Sequence, residues 1–176
     1  PSRRLLAHEL VRFVGEPVVA IIATSRVIAQ TAAEAVVVEY EPLPAVVDPV
    51  KAVEPGAPVV WPEAPDNIAA AMSYGDAAKV EDVFKSAPHV VSLDVTSQRL
   101  APSAMEPRST IAEIDPKTKR LIVHIQSQTP TSTRDILADA VLKRPKESVH
   151  VLVGDIGGGF GQKTNLYPED GLVAYA

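Results

Sequence analysis

The sequence predicts a mixed α+β fold, and three observations support that prediction. Residues 18–42 pass from a β-branched run through a helical period to a second β-branched run. Residues 109–127 alternate apolar and polar side chains on both sides of a polar turn. Residues 131–156 pass from a helical pattern to a strand pattern. Helices interleaved with strands and one hairpin favour a mixed architecture over a purely helical or purely β one.

The first strand, helix and strand form a small α/β unit. "VVAIIAT" at 18–24 is an unbroken apolar run, which is typical of a buried strand. A helical period follows, for which Ser25 or Thr24 is the expected N-cap. "VVVEYEP" at 36–42 returns to strand composition and is stopped by proline.

A proline-rich connector separates this unit from the rest of the chain. Residues 42–68 contain seven prolines and show no sustained hydrophobic period. Such composition predicts an extended segment at a domain boundary, with Trp61 packing it down. We therefore expect a first domain over residues 1–54, a connector over 55–74 and a second domain over 75–176.

The second half reads as alternating helices and strands. "GDAAKVEDVFKSA" (75–87) predicts an amphipathic helix capped by Asp76, with Val80, Val83 and Phe84 facing inward. Strands are expected at 89–98, at 109–115 and at 120–127, the last two as a hairpin around "PKTK". A helix at 131–142 then leads to a strand at 149–156.

Composition excludes several classes of site and partner. The formal net charge is −5 with no basic run, so nucleic acid is a poor candidate partner. The chain has no cysteine, which excludes disulfides, thiolate nucleophiles and cysteine-ligated metals from this segment. No apolar stretch reaches the length of a membrane span, and the start lacks the apolar region of a signal peptide. We expect a cytoplasmic protein, and both ends of the chain look cut from a longer one.

The stretch "GDIGGGFGQK" (154–163) is the strongest candidate for a functional loop. Its glycines follow directly after a predicted buried strand. Glycine lets a backbone turn sharply and exposes N–H groups that can bind anionic ligands. Gln162 interrupts the P-loop spacing, and the dinucleotide fingerprint is incomplete. A tight structural bend is the alternative interpretation.

"HIQSQTPTSTRD" (124–135) is the second candidate. Gln126 and Gln128 have equal parity on the predicted strand, and Gln128 lies at the strand end, where sites of α/β proteins collect. An amide there can donate a hydrogen bond to an oxygen without titrating. The alternative is a glutamine that caps the next helix or satisfies a loop.

The remaining polar residues suggest no site by themselves. The four histidines lack metal-ligand spacing, so we interpret them as structural or exposed. Glu106, Glu169 and Asp170 read as isolated acids on a solvated surface. No Ser-His-Asp set can be assembled with any specificity.

Taken together, these stretches resemble the large subunit of the molybdenum hydroxylases, the family of xanthine dehydrogenase, aldehyde oxidase and aerobic carbon monoxide dehydrogenase. Residues 12–53, "RFVGEPVVAIIATSRVIAQTAAEAVVVEYEPLPAVVDPVKAV", resemble the latter part of the α/β-hammerhead domain. "MEPRSTIAEID", "HIQSQTP" and "VGDIGGGFGQK" resemble, in order and spacing, the opening of the molybdopterin-binding domain. The expected fold is a partial α/β-hammerhead followed by the first part of a molybdopterin-binding domain.

The resemblance gives functional roles to matching positions. Gln128 matches the glutamine whose amide approaches the apical oxygen of the metal. Phe160 and Gly161 match loop residues whose backbone lines the metal site, and Gly157, Gly158 and Gly159 allow the close approach. Gln128 and Phe160 are therefore expected near the molybdenum, without binding it through side-chain ligands.

The same resemblance implies the cofactors and partners. It implies a molybdenum-molybdopterin cofactor in its cytosine dinucleotide form, with iron-sulfur clusters and FAD on partner subunits or domains. No catalytic residue is expected in this chain, because the family's general-base glutamate lies later. The parent enzyme is expected to oxidise an aldehyde, a heteroaromatic compound or a small molecule such as carbon monoxide, with water as the oxygen source.

The sequence also bears on the substrate and leaves two alternatives to the enzyme. Xanthine-oxidising members carry a glutamate after the loop lysine, where this chain has Thr164, so a purine substrate is disfavoured. A non-catalytic binding or assembly module with the same architecture but no metal is an alternative to the enzyme. A phosphate-binding protein is a weaker alternative, which the broken P-loop spacing opposes.

Overall fold

A computed structural model describes residues 4–98 and 100–176. The chain forms two compact units, one of Pro42–Leu100 and one of Ser2–Glu41 together with Ala101–Ala176. The helices longer than one turn are α1 (Arg26–Glu34), α2 (Ala77–Ser86), α3 (Pro130–Ile136) and α4 (Pro168–Tyr175). The strands are β1 (Thr110–Ile114), β2 (Leu121–Ile125) and β3 (Val149–Leu152). Helices beside a small mixed sheet confirm the predicted α+β class.

The larger unit is built on this three-stranded sheet, in the order β1-β2-β3. β1 and β2 pair antiparallel, with Thr110 opposite Ile125 and Ile114 opposite Leu121. This pairing confirms the predicted hairpin. Asp115 shapes the connection, because its carboxylate accepts hydrogen bonds from the Lys117 N–H and the Thr118 hydroxyl.

β2 and β3 pair in parallel, and parallel neighbours need a crossover connection. Here the crossover is α3, which continues as a π-helical turn over Leu137–Leu142 and is followed by a 3-10 turn at Lys146–Ser148. Beside the start of α3, the buried hydroxyls of Ser127 and Thr133 lie 2.8 Å apart and hydrogen-bond to each other. The predicted helix at 131–142 is therefore present, with its last part wound more loosely.

The hydrophobic core lies on one face of this sheet. Leu121, Val123 and Ile125 alternate along β2 and are buried, as the period of two along a strand requires. They pack with Leu137 of the π-helical turn and Ala174 of α4. Burying a side chain such as Leu137 stabilises the fold by about 1.5–3 kcal/mol.

The strand directions bring three chain segments to one edge of the sheet. The carboxyl ends of β2 and β3 lie at the same edge because these strands are parallel and adjacent. The amino end of β1 lies there too, because β1 runs antiparallel to β2. The residues before β1, after β2 and after β3 therefore meet at this edge.

An acidic cluster ties α4 to β1. Asp170 is 4% exposed, and its carboxylate accepts from the Thr110 hydroxyl at 2.5 Å and from the Tyr167 N–H at 3.0 Å. Arg108 stacks 3.5 Å above the Tyr167 ring and pairs with Glu169 and Asp170. The prediction that Glu169 and Asp170 are isolated surface acids was wrong. Asp170 caps α4 and links it to β1, and Glu169 pairs with Arg108. Thr110 and Arg108 lie some sixty residues away in sequence, so these contacts have no local signal.

In the smaller unit, the Asn67 side chain joins three parts of the proline-rich connector through hydrogen bonds. The Asn67 side chain accepts from the Val60 N–H at 2.9 Å and donates to the Ala52 and Pro58 carbonyls at 2.8 and 3.0 Å. Asn67 has a φ of 58°, which asparagine tolerates better than most residues. α2 in the same unit begins at the predicted cap, since the Asp76 carboxylate accepts from the Lys79 N–H.

Some predicted elements are absent from the described residues. The stretches at 18–24, 36–42 and 89–98 form no ladder there, because β-branched composition favours an extended backbone but does not supply a pairing partner. The apolar face of α2 is exposed, with Val83 at 64% and Phe84 at 57%, since its own unit has no second layer to cover it. None of the helices in the described ranges is long and apolar enough to cross a membrane.

Candidate functional site

A glycine loop, defined here as residues 157–163, follows β3 at the shared edge of the sheet. Two internal bonds fold it into consecutive turns: the Gln162 N–H donates to the Gly159 carbonyl at 2.8 Å, and the Thr164 N–H donates to the Gly161 carbonyl at 3.3 Å. The Tyr167 hydroxyl donates to the Gln162 carbonyl at 2.8 Å. The loop is thus held by its own backbone and by the residue before α4.

The backbone of the glycine loop adopts left-handed conformations at three positions. The φ angles are +95° at Gly158, 49° at Phe160 and +81° at Gly161. Glycine adopts such angles freely, whereas a bulky residue such as phenylalanine pays about 1–2 kcal/mol. Strain of this kind clusters at functional sites, and the Phe160 side chain is largely exposed rather than packed into the core.

At two glycines, an added Cβ would displace a neighbouring segment. A Cβ at Gly159 would lie 2.4 Å from Cδ of Gln128, and a Cβ at Gly157 would lie 2.6 Å from Cβ of Glu106. Real Cβ atoms do not approach other carbons so closely. The glycine loop is therefore packed between the segment before β1 and the segment after β2.

Gln128 faces the glycine loop with one side of its amide. Its Oε1 accepts from the Gly161 N–H at 3.1 Å and from the Thr164 hydroxyl at 3.4 Å. A backbone N–H can only donate, so the atom that faces it is the oxygen. Nε2 makes no hydrogen bond within residues 4–98 and 100–176, so both of its protons are free to donate.

Gln126 has a different environment. It exchanges hydrogen bonds with Ser109, accepting from the Ser109 N–H at 2.7 Å and donating from Nε2 to the hydroxyl at 3.0 Å. β2 ends at Ile125, so the strand alternation that predicted a common face for both glutamines does not extend to Gln128. Of the two glutamines, Gln128 contacts the loop.

The middle of the glycine loop presents unused donors. In the described part of the chain, the backbone N–H groups of Gly158, Gly159 and Phe160 donate to no acceptor. Successive N–H groups in a loop of this kind form a concavity for oxygen-rich or anionic groups. Together with Nε2 of Gln128, they make a cluster of neutral donors that carries no titrating group.

Glu106 bonds to both ends of the glycine loop, at Gly157 and at Lys163. Oε2 of Glu106 accepts from the Gly157 N–H at 2.8 Å and from Nζ of Lys163 at 2.8 Å. The Lys163 side chain is only 1% exposed. The prediction that Glu106 is an isolated surface acid was wrong, because its partners come from a segment more than fifty residues away.

These contacts shift the titration of Glu106. The hydrogen bond from the Lys163 ammonium holds the pKa of the Glu106 carboxyl below its ordinary value, and the Gly157 N–H adds to this effect. Desolvation opposes the shift. The carboxylate is therefore ionised across the neutral range, as its pairing with a buried ammonium requires.

Sequence reasoning named the residues of this loop but missed the ion pair. The structure brings together all six predicted residues, Gln128, Gly157, Gly158, Gly159, Phe160 and Gly161, at one edge of the sheet. Lys163 entered the sequence reasoning only through the spacing of the loop and its position before Thr164, and no partner was predicted for it. One feature of the sequence could have indicated the partner of Glu106. Glu106 lies shortly before β1, and because β1 pairs antiparallel with β2, the start of β1 lies beside the end of β2.

A methyl group at Gly159 should displace the Gln128 amide from the glycine loop. Gly159→Ala places a Cβ 2.4 Å from Cδ of Gln128, so the amide must move and the bond to the Gly161 N–H is lost. We expect faster hydrogen exchange at Gly161. Gly154→Ala is the matched control, because no atom lies within 4 Å of its Cβ. Unchanged exchange at Gly161 in Gly159→Ala would contradict the geometry.

The lowered pKa of Glu106 predicts a pH window. A carboxyl whose folded pKa is depressed contributes stability above its ordinary value of 4.5, and the contribution is lost as pH falls through the lowered folded value. An NMR titration of the Glu106 carboxyl should give a midpoint below 4.5. Lys163→Met should raise this pKa, since it removes the largest cause of the shift. A midpoint at or above 4.5 for the unaltered residue would refute the assignment.

Comparison with known proteins assigns the family. Residues 60–176 match the family described as "Molybdopterin cofactor-binding domain". Residues 1–44 match that described as "Aldehyde oxidase and xanthine dehydrogenase, a/b hammerhead domain". The match to the cofactor-binding domain includes Glu106, Gln128 and the glycine loop, and the match to the hammerhead domain includes α1.

Curated relatives are subunits of larger enzymes. The nicotine 6-hydroxylase large subunit of Paenarthrobacter nicotinovorans is 38% identical over 98% of this chain and 21% of its own length. The carbon monoxide dehydrogenase large chain of Hydrogenophaga pseudoflava is 36% identical over 93% of this chain and 22% of its own. The chain thus spans about a fifth of the length of the curated relatives it matches.

Solved structures agree with these matches. Quinoline 2-oxidoreductase from Pseudomonas putida 86 has a TM-score of 0.76 at 35% identity, over 96% of this chain and 21% of that one. The Cu,Mo-CO dehydrogenase in its carbon monoxide reduced state has a TM-score of 0.81 at 33% identity, over 97% of this chain and 23% of that one. These matches establish that the chain belongs to the large-subunit family of the molybdenum hydroxylases, from which it carries hammerhead sequence and sequence of the molybdopterin cofactor-binding domain.

Proposed function

We propose that the protein containing this chain is a molybdenum-dependent oxidoreductase, and that the chain supplies part of the wall of its cofactor site. The observation that carries this proposal is the convergence of four unused donors, Nε2 of Gln128 and the N–H groups of Gly158, Gly159 and Phe160, at one sheet edge. Membership of the molybdopterin cofactor-binding family supports the choice of ligand.

The residues present fit such a cofactor. A pterin bearing a metal with oxygen ligands offers many acceptors, and the site offers donors without side-chain bulk. The absence of Cβ atoms at residues 157–159 leaves the backbone itself as the contact surface. The described residues contain no cluster of three or more His, Cys, Asp or Glu side chains placed to hold a metal, so the fit rests on hydrogen-bond donors alone.

The chain's own residues act by orientation in this proposal. When bound, the cofactor supplies two-electron redox chemistry at its molybdenum. Gln128 directs its amide protons at an oxygen of the bound group, and Gly161 and Thr164 hold the amide in that orientation. The loop N–H groups act as preorganised electrostatics and do not change protonation state during turnover.

The proposal extends to cofactor form, partners and domain limits. We propose the cytosine dinucleotide form of molybdopterin, and iron-sulfur and FAD-bearing subunits or domains that take electrons away. The names of the curated relatives, a large subunit and a large chain, support partner subunits. A cytoplasmic location and domains at 1–54 and 75–176, joined by a connector at 55–74, remain part of this proposal.

The substrate class is drawn from the relatives and from Thr164. We propose hydroxylation of a heteroaromatic or aldehyde carbon, with oxidation of a small molecule such as carbon monoxide as the other possibility, and with water as the oxygen source. Two relatives are named for nicotine and quinoline, which are nitrogen heteroaromatics. Thr164 is exposed beside Gln128 and carries no carboxylate for a purine.

A non-catalytic module is not favoured. The relatives that match over nearly the whole chain are named as hydroxylase and dehydrogenase subunits.

Turnover tests the role of Gln128 directly. Gln128→Ala in the full-length enzyme with its partner subunits should reduce dye-coupled turnover by about 100- to 1,000-fold, the cost of losing a preorganised donor. Gln128→Glu retains an acceptor for the Gly161 N–H but removes both donors, so it should be similarly impaired. Gln126→Ala, whose side chain contacts Ser109 and not the loop, is the control.

Elemental analysis accompanies these assays. Molybdenum should be present in the unaltered enzyme made in a host that produces the cofactor. A well-folded preparation without molybdenum would overturn the proposed function. Equal losses of turnover in Gln128→Ala and Gln126→Ala would show that Gln128 has no special role.

A further inference from the structure

We infer that Glu106 and Lys163 are positioning residues that set the orientation of the cofactor-facing donors before any ligand binds. The inference rests on the proposed function, since it concerns the same site. It assigns to a buried ion pair a role in the geometry of the donors, in addition to its role in folding.

Lys163 joins three separate segments of the chain. Its Nζ donates to Glu106 in the segment before β1, and its carbonyl accepts from the Gln128 N–H at 2.9 Å in the segment after β2. It is itself the last residue of the glycine loop. A change in its position would therefore move the loop and Gln128 together.

Glu106 holds the other end of the glycine loop. Its carboxylate accepts from the Gly157 N–H at 2.8 Å, and its own N–H donates to the Gly157 carbonyl at 3.3 Å. This reciprocal pair allows little rotation of the Gly157 backbone. Side-chain bulk at Gly157 would prevent it, because a Cβ there would lie 2.6 Å from that of Glu106.

The unused donors lie between these two fixed ends. The N–H groups of Gly158, Gly159 and Phe160 donate no hydrogen bond in the described residues, so their orientation depends on the turns of the loop and on how Gly157 and Lys163 are held at its ends. Glu106 reaches both ends through a single oxygen atom, Oε2. One carboxylate therefore bridges the two ends of the loop.

A hydrogen-bonded ion pair is suited to positioning the loop, because its hydrogen bond is directional. The Lys163 side chain is 1% exposed and that of Glu106 is 32% exposed, so the ammonium has little access to water. Replacing a buried pair by apolar side chains of similar size often preserves stability, whereas removing one partner leaves an uncompensated charge. Stability and positioning can thus be separated by substitution.

The test compares three variants of the full-length enzyme. Glu106→Gln keeps an acceptor for Gly157 but leaves Lys163 unpaired, Lys163→Met removes the ammonium, and Glu106→Gln/Lys163→Met removes both charges. We expect the single variant Glu106→Gln to lower the thermal midpoint and the double variant to recover most of that loss. We expect the double variant nevertheless to turn over about 100-fold more slowly, the scale of effect of a small misplacement.

Two readouts separate positioning from folding. In enzyme made without cofactor, exchange of the hydrogen-bonded amides of Gly157, Gly161 and Gln162 should be at least about tenfold faster in the double variant. A tenfold change corresponds to about 1.4 kcal/mol of lost protection. In loaded enzyme, the Mo(V) electron paramagnetic resonance spectrum should differ from that of the unaltered protein. Asp135→Asn/Lys146→Met is the control, because that ion pair joins α3 to the residues before β3, at the opposite end of the strand.

The outcomes are distinct. A folded double variant with unaltered loop exchange and an unaltered Mo(V) spectrum would overturn the inference and leave the pair purely structural. If the double variant is not recovered folded, Glu106→Gln alone decides by the same two readouts. Absence of molybdenum from the unaltered enzyme would refute the proposed function, while the exchange comparison in cofactor-free protein would still decide whether the pair holds the loop.

Discussion

The pairing directions of three strands determine where the site lies. Because β2 and β3 are parallel neighbours and β1 is antiparallel to β2, the residues before β1, after β2 and after β3 converge on one edge. Glu106 and Gln128 are separated from the glycine loop by tens of residues in sequence, yet both are bonded to it through direct hydrogen bonds. A different strand order would leave the same residues unable to meet.

The site combines close backbone approach with neutral donors. Glycine at 157 and 159 admits Glu106 and Gln128 at distances that a Cβ would forbid, and the left-handed angles at 158, 160 and 161 turn the chain outward. The resulting N–H groups, with the amide of Gln128, orient an acceptor-rich ligand without adding a charge. Charge is confined to the Glu106–Lys163 pair at the loop ends, where it is internally balanced.

Elements that depend on residues close together in sequence could be predicted, whereas contacts between residues far apart in sequence could not. Alternation in residues 110–125 and the cap at Asp76 are local signals, and both appear in the structure. The glycine spacing located the loop, and several motifs in order identified the family. The ion pair of Glu106 and the burial of Asp170 depend on partners far along the chain. The runs at 18–24 and 89–98 were assigned as strands from composition, which cannot supply the neighbour a ladder needs.

The central claim is that this sheet edge is the molybdenum-facing surface of the chain. A crystal structure of the full-length, cofactor-loaded protein, with anomalous differences measured across the molybdenum absorption edge, tests it most directly. The account predicts a metal peak beside the Gln128 amide and the backbone of Gly158, Gly159 and Phe160, with these donors bonded to cofactor oxygens. A peak elsewhere, with Gln128 and the glycine loop contacting only protein or water, would contradict it.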